Sequence, residues 1–169
     1  MAVKRYMTAN PITVHSDESI LHARALLRSH QIRHLPVVER KRLIGMLSDR
    51  DIRLLLPSSL ATPEEQQRFQ SWGTQVTVGD VMTRKVVTVA PETETEKAAR
   101  LMVERRIGCL PVLRGSALVG IVTTIDLLRA MAGEDRAPTV AQGKGPASRR
   151  KSLVDRRTPR PEGKVGRRS

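Results

Sequence analysis

The chain has 169 residues, of which 39% are apolar and only 2% aromatic, so its core must come from Val, Leu, Ile, Met and Ala. Its formal net charge is +13, but residues 137–169 hold ten basic and two acidic side chains, which leaves a net +5 for residues 1–136. No apolar run approaches the roughly 18 residues of a membrane span, the start Met1-Ala-Val-Lys-Arg-Tyr-Met7 reads as no secretory signal, and the single Cys109 excludes an intrachain disulfide; a soluble cytoplasmic protein is expected.

The first predicted element is a short β-branched strand, Ile12-Thr-Val14. Ile20, Ala23, Leu26 and Leu27 then fall at helical spacing, with Ser16 as the expected N-cap and Asp17 and Glu18 at the positive end of the dipole. Leu35–Val38 and Leu43–Leu47 predict a hairpin across the charged turn Glu39–Arg42, with Pro36 at a strand start where its missing N–H is tolerated. Ser48 is a good cap for a second helix, with Asp51 in its first turn. In the insertion that follows, Thr62-Pro-Glu-Glu65 is a strong helix start, and Phe69 and Trp72 are expected to dock that helix on the body.

The series then recurs. Val86–Val89 predicts a strand, and Ala98, Leu101 and Met102 predict a helix. Leu110–Leu113 and Leu118–Val122 predict a hairpin across Arg114–Ala117, and Thr123 with Asp126 opens a final helix. Beyond about Gly133 no periodicity survives, which predicts a disordered basic tail.

Residues 3–55 align on 78–130 without a gap at an offset of 75, with 14 of 53 positions identical. The expected fold is mixed α/β (α+β), with two β-α-β-β-α repeats packed in pseudo-two-fold symmetry. The divisions are 1–55 for the first repeat, 56–77 for the helical insertion, 78–132 for the second repeat and 133–169 for the tail.

The residues that recur resemble a tandem pair of cystathionine β-synthase (CBS) motifs, a Bateman module. The resemblance rests on Val3–Thr8 and Val78–Thr83, on Arg33-His-Leu-Pro-Val37 and Gly108-Cys-Leu-Pro-Val112, and on Gly45–Asp51 and Gly120–Asp126. The segment Asp51–Thr62 is also similar to the stand-alone acetoin-utilisation type.

The resemblance implies an adenosyl ligand (AMP, ADP or ATP, or S-adenosylmethionine or NAD) in clefts between the repeats. Gly45 and Gly120 would end strands and allow close backbone approach, helix starts would receive phosphate oxygens, and the Asp would accept the ribose hydroxyls. By the family pattern, Thr8, Ile12, Arg33 and His34 face Thr123 and Asp126 in one cleft. Thr83, Val87, Gly108 and Cys109 face Ser48 and Asp51 in the other, with Arg50 as an added cation. Because Arg33 and His34 stand where Gly108 and Cys109 stand in the second repeat, the first of these clefts is expected to be the better phosphate site.

Each residue also has a plainer reading. Ser48, Asp51, Thr123 and Asp126 could serve only as helix caps, Arg33 and His34 as solvated strand-start residues, and Cys109 as a small core residue. His15, His22, His30 and His34 are too scattered for a metal site. No nucleophile–base or paired-carboxylate constellation is present, so no enzyme and no catalytic cofactor are expected. The leading expectation is a regulatory module and homodimer whose ligand changes its dimer geometry or its contacts with a protein target. The alternatives are nucleic-acid binding through tail 137–169, by Ser148–Ser152, Arg156-Arg157 and Arg167-Arg168, and a structural dimer module with empty clefts.

Overall fold

The computed structural model describes residues 1–55 and 62–134. A 3-10 turn (Val3–Arg5) and β1 (Thr8–Ala9) are followed by α1 (Ile20–Ser29), β2 (His34–Glu39), β3 (Arg42–Ser48) and α2 (Asp49–Arg53). Then come α3 (Pro63–Gly73), α4 (Val78–Val81), α5 (Thr95–Arg105), β4 (Cys109–Arg114), β5 (Ala117–Thr123) and α6 (Thr124–Met131). Apart from Gly133 and Glu134, the tail expected to be disordered lies outside the described residues, and so does the nucleic-acid surface read from 137–169.

The two expected hairpins form: β2 pairs with β3 and β4 with β5, both antiparallel. The expected strands Ile12–Val14 and Val86–Val89 shrink to one parallel bridge each, Val14 with Val37 and Val89 with Val112. The cause is the proline in each neighbouring strand. The carbonyls of Pro36 and Pro111 accept from Val14 and Val89, both at 3.1 Å. The next rung would need an N–H from Pro36 or Pro111, and neither has one.

The strand that sequence reading missed is β1. Thr8 and Ala9 pair with Ile121 and Gly120 of β5, in the other repeat, and Thr83 makes the matching bridge to Met46 of β3. Each repeat thus lends its opening segment to the other. Val3 N donates to Thr93 O at 2.8 Å, and Val78 N donates to Glu18 O at 2.8 Å. Thr95 N donates to Met1 O at 2.7 Å, and Ile20 N to Val76 O at 3.0 Å. All these pairs are related by the offset of 75, which is the pseudo-two-fold written in hydrogen bonds.

The cores follow the same exchange. Val78 and Met82 join the first, among Val14, Ile20, Leu27, Leu35, Leu47 and Ile52, while Val3 joins the second, among Val89, Met102, Leu110, Val122 and Leu127. Burying these aliphatic side chains is the main stabilising term, at about 1.5–3 kcal/mol for each Val, Leu, Ile or Met fully buried.

Gly45 and Gly120 lie inside β3 and β5 rather than at their ends. The close approach they permit belongs to protein. A Cβ on Gly45 would stand 2.5 Å from Met82 Sδ, and one on Gly120 the same distance from Met7 Sδ. The first helix also starts later than expected, because Ser19 caps α1 by accepting from His22 N. Ser16 instead donates to Glu39 Oε1. Glu18 bonds His15 N at 2.9 Å and pairs with His22 Nε2 at 3.0 Å.

Helix α3 begins as expected, with Thr62 and Glu65 in a reciprocal capping box and Pro63 at its first position. Phe69 is buried, but Trp72 is 42% exposed and only leans on the Phe69 ring at 5.9 Å. Gly73 completes the docking, since Leu21 of α1 leaves no comfortable room for a side chain there.

Candidate functional site

Helices α2 and α6 start with the same device. Asp51 Oδ2 accepts from Ser48 N at 2.8 Å and Ser48 Oγ at 2.6 Å, and Asp51 N donates to Ser48 Oγ at 3.2 Å. Asp126 Oδ2 accepts from Thr123 N at 2.9 Å and Thr123 Oγ1 at 2.7 Å, and its own N donates back at 3.4 Å. These four residues are therefore helix caps, and each cap pins a carboxylate at a fixed place beside the sheet. Asp51 is half-buried, whereas Asp126 is only 7% exposed.

Beside Asp51 the two repeats leave a cleft of about 470 Å3. Ser48, Arg50 and Asp51 line it from one repeat, and Thr83, Val87, Gly108 and Cys109 line it from the other. That is the grouping the family pattern implied for one of its two clefts.

Arg33 and His34 line this cleft too. The family pattern assigned them to the opposite cleft, with Thr8, Ile12, Thr123 and Asp126. Register brings them here: β2 pairs with β3 so that His34 stands opposite Ser48, and Asp49 N donates to Arg33 O at 2.9 Å. His34 also borders the second repeat, for a Cβ on Gly108 would stand 3.7 Å from its Nε2. Of the other group, Thr8 lies on β1 against β5, the strand that ends at Thr123, while Ile12 packs against the first core.

Cys109 is buried, and burial pushes its thiol up to about 12, so it stays a neutral wall of the cleft rather than a nucleophile at ordinary pH. Burial also lowers the pKa of His34, with neighbouring Arg33 acting in the same direction and Asp51 against it. An uncharged imidazole at neutral pH is the result. It can donate from one nitrogen and accept at the other.

Three basic residues of the cleft went unnoticed in the sequence: Arg53, Lys85 and Arg106. Arg53 is held by Asp49 at 2.9 Å. Among the described residues, Arg33, Arg50, Lys85 and Arg106 make no ion pair. A comparison of charge across the internal repeat would have found all three, because none has a basic partner 75 positions away.

A family profile described as the CBS domain matches residues 3–58 and 78–133. The chain belongs to the CBS domain family. CBS pairs are nucleotide-binding regulatory modules, and a lone pair is not catalytic. The CBS domain-containing protein YhcV of Bacillus subtilis is 35% identical over 126 residues, which cover 75% of this chain and 82% of that one. A Vibrio cholerae protein named for acetoin utilization (AcuB) superposes with a TM-score of 0.64 at 30% identity, covering 79% of this chain and 91% of its own. The structure of CBSX2 in complex with AMP gives a TM-score of 0.65 at 32% identity, covering 80% and 98%. The chain thus carries a tandem CBS pair. Among the described residues no helix is long and apolar enough to cross a membrane.

Proposed function

We propose that this chain is a non-catalytic regulatory module that binds an adenosyl ligand, of the AMP, ADP or ATP kind, in the cleft beside Asp51. One observation carries the reading: Ser48 and Asp51 of one repeat and Thr83, Val87, Gly108 and Cys109 of the other line a single cleft of about 470 Å3. The AMP complex of CBSX2 supports it. In this reading Val87, Cys109 and nearby backbone hold the base, while Asp51 keeps Oδ2 for its cap and offers Oδ1 to the ribose. S-adenosylmethionine and NAD are the competing ligands of the same class. The working compartment is the cytoplasm, where such ligands are abundant, and the working form is a homodimer. Ile125, Leu128 and Met131, which project from α6 and are 55%, 54% and 80% exposed, are its contact.

Thermal-shift titration tests the ligand. AMP, ADP or ATP raises the melting temperature of the wild-type chain, and Asp51→Asn loses most of that rise relative to its own ligand-free baseline. If no adenosyl compound moves the melting temperature, the clefts are structural and the proposal falls.

A further inference from the structure

The two pseudo-symmetric clefts differ in charge far more than their shared caps imply. Arg50, Arg53, Lys85 and Arg106 line the cleft beside Asp51. Their counterparts at the offset of 75 are Ile125, Leu128, Asn10 and Gln31. Every one of those four cations is matched by an uncharged residue. Arg33 is the remaining cation of the charged cleft, and its counterpart is Gly108. The acidic residues facing the same space are Asp49 and Asp51, and Asp49 is occupied with Arg53.

Five cations against two carboxylates, around one concave space, form a trap for a multiply charged anion. Arg is well suited to phosphate because its planar fork can bridge two oxygens. The cations also come from both repeats, with Arg33, Arg50 and Arg53 on one side and Lys85 and Arg106 on the other. The second position has only Arg33, the counterpart of Gly108, in place of these five, and its aspartate is nearly closed to solvent.

We infer that the cleft beside Asp51 is selective for a nucleoside polyphosphate, and that the pseudo-symmetric position binds no anion, so that each chain takes one such ligand. This deepens the adenosyl reading above and rests on it. The charge that sequence comparison placed opposite Asp126 also lines the cleft beside Asp51. A cationic ligand such as S-adenosylmethionine is disfavoured here by the same cations that favour a polyphosphate.

Isothermal titration of the full chain with adenosine, AMP, ATP, S-adenosylmethionine and inorganic triphosphate is the test. Affinity rises from adenosine through AMP to ATP by about tenfold or more and weakens with added salt. One ATP binds per chain, and S-adenosylmethionine binds no better than adenosine. The double variant R50Q/R106N weakens ATP by about tenfold while adenosine is unchanged. Both substituted residues are exposed, and Asn tolerates the positive φ of 52° at Arg106. Equal affinity for adenosine and ATP overturns the inference, as do two ATP per chain or wild-type ATP affinity in the double variant. If inorganic triphosphate binds as tightly as ATP and adenosine does not bind, the anion site stands and the adenosyl reading falls. If none of the five binds, both fall together.

Discussion

His34 shows how much one side chain's neighbours decide. Its ring is packed beside Arg33 and the Gly108 backbone, and its pKa lies below the ordinary 6.5, chiefly because it is buried. Below pH 6.5 the unfolded chain therefore takes up a proton that the folded chain refuses. The contribution to stability is full above that pH and is lost as pH falls through the lower folded value. Urea unfolding at about pH 7.5 and about pH 5.5 measures it: the wild type loses more stability between the two than His34→Gln does. Equal losses would show that the imidazole is not the responsible group. The identity of His34 as a cleft residue was legible in the sequence, but its place beside Asp51 was not. That depends on the β2–β3 register, which puts His34 opposite Ser48, and register is a property of two strands rather than of one residue.

Among the elements, those with strong local signals were readable. The hairpins have β-branched runs around charged turns, and the caps at Ser48, Thr62 and Thr123 carry their acidic partner three positions on. β1 was not readable, because two residues, Thr8 and Ala9, hold no periodicity and find their partner more than a hundred positions away. Its only trace was the pair of glycines, and these were assigned to a ligand instead of to Met7 and Met82. The consequence is testable in Gly120→Ala. The new methyl would meet Met7 Sδ at 2.5 Å and Thr8 O at 3.1 Å, so β1 must shift or Met7 must leave its place. Urea denaturation is expected to show a loss of about 1–3 kcal/mol. A change near zero would mean that β1 can detach without cost. The outer strands teach a related lesson: Pro36 and Pro111 were readable as tolerated, yet their effect on the neighbouring chain, cutting each expected strand to one bridge, appears only once the ladder is drawn.

At the scale of the whole molecule, the two repeats share a fold but divide the work. One presents Arg50 and Arg53 on its second helix, and the other presents Ile125 and Leu128 at the same positions. With Met131 these form an exposed apolar stripe on α6, of the kind that self-association covers. Sedimentation is expected to find a dimer for the full chain, and Leu128→Lys together with Met131→Glu is expected to give a monomer whose far-ultraviolet circular dichroism is unchanged. A monomeric wild-type chain would remove the homodimer from the proposed function.

The exchanged opening segments set a limit on how such a molecule can signal. Val3 is fastened into one core and Val78 into the other, with matched bonds running in both directions between the repeats. Among the described residues, a frame braced twice in this way leaves no unbonded hinge between the exchanged segments, and neither half retains its own opening segment when the halves are parted. Under the proposed function, a ligand lodged between the repeats would act through the outward helices, as a change in what they touch, rather than through the frame swinging open.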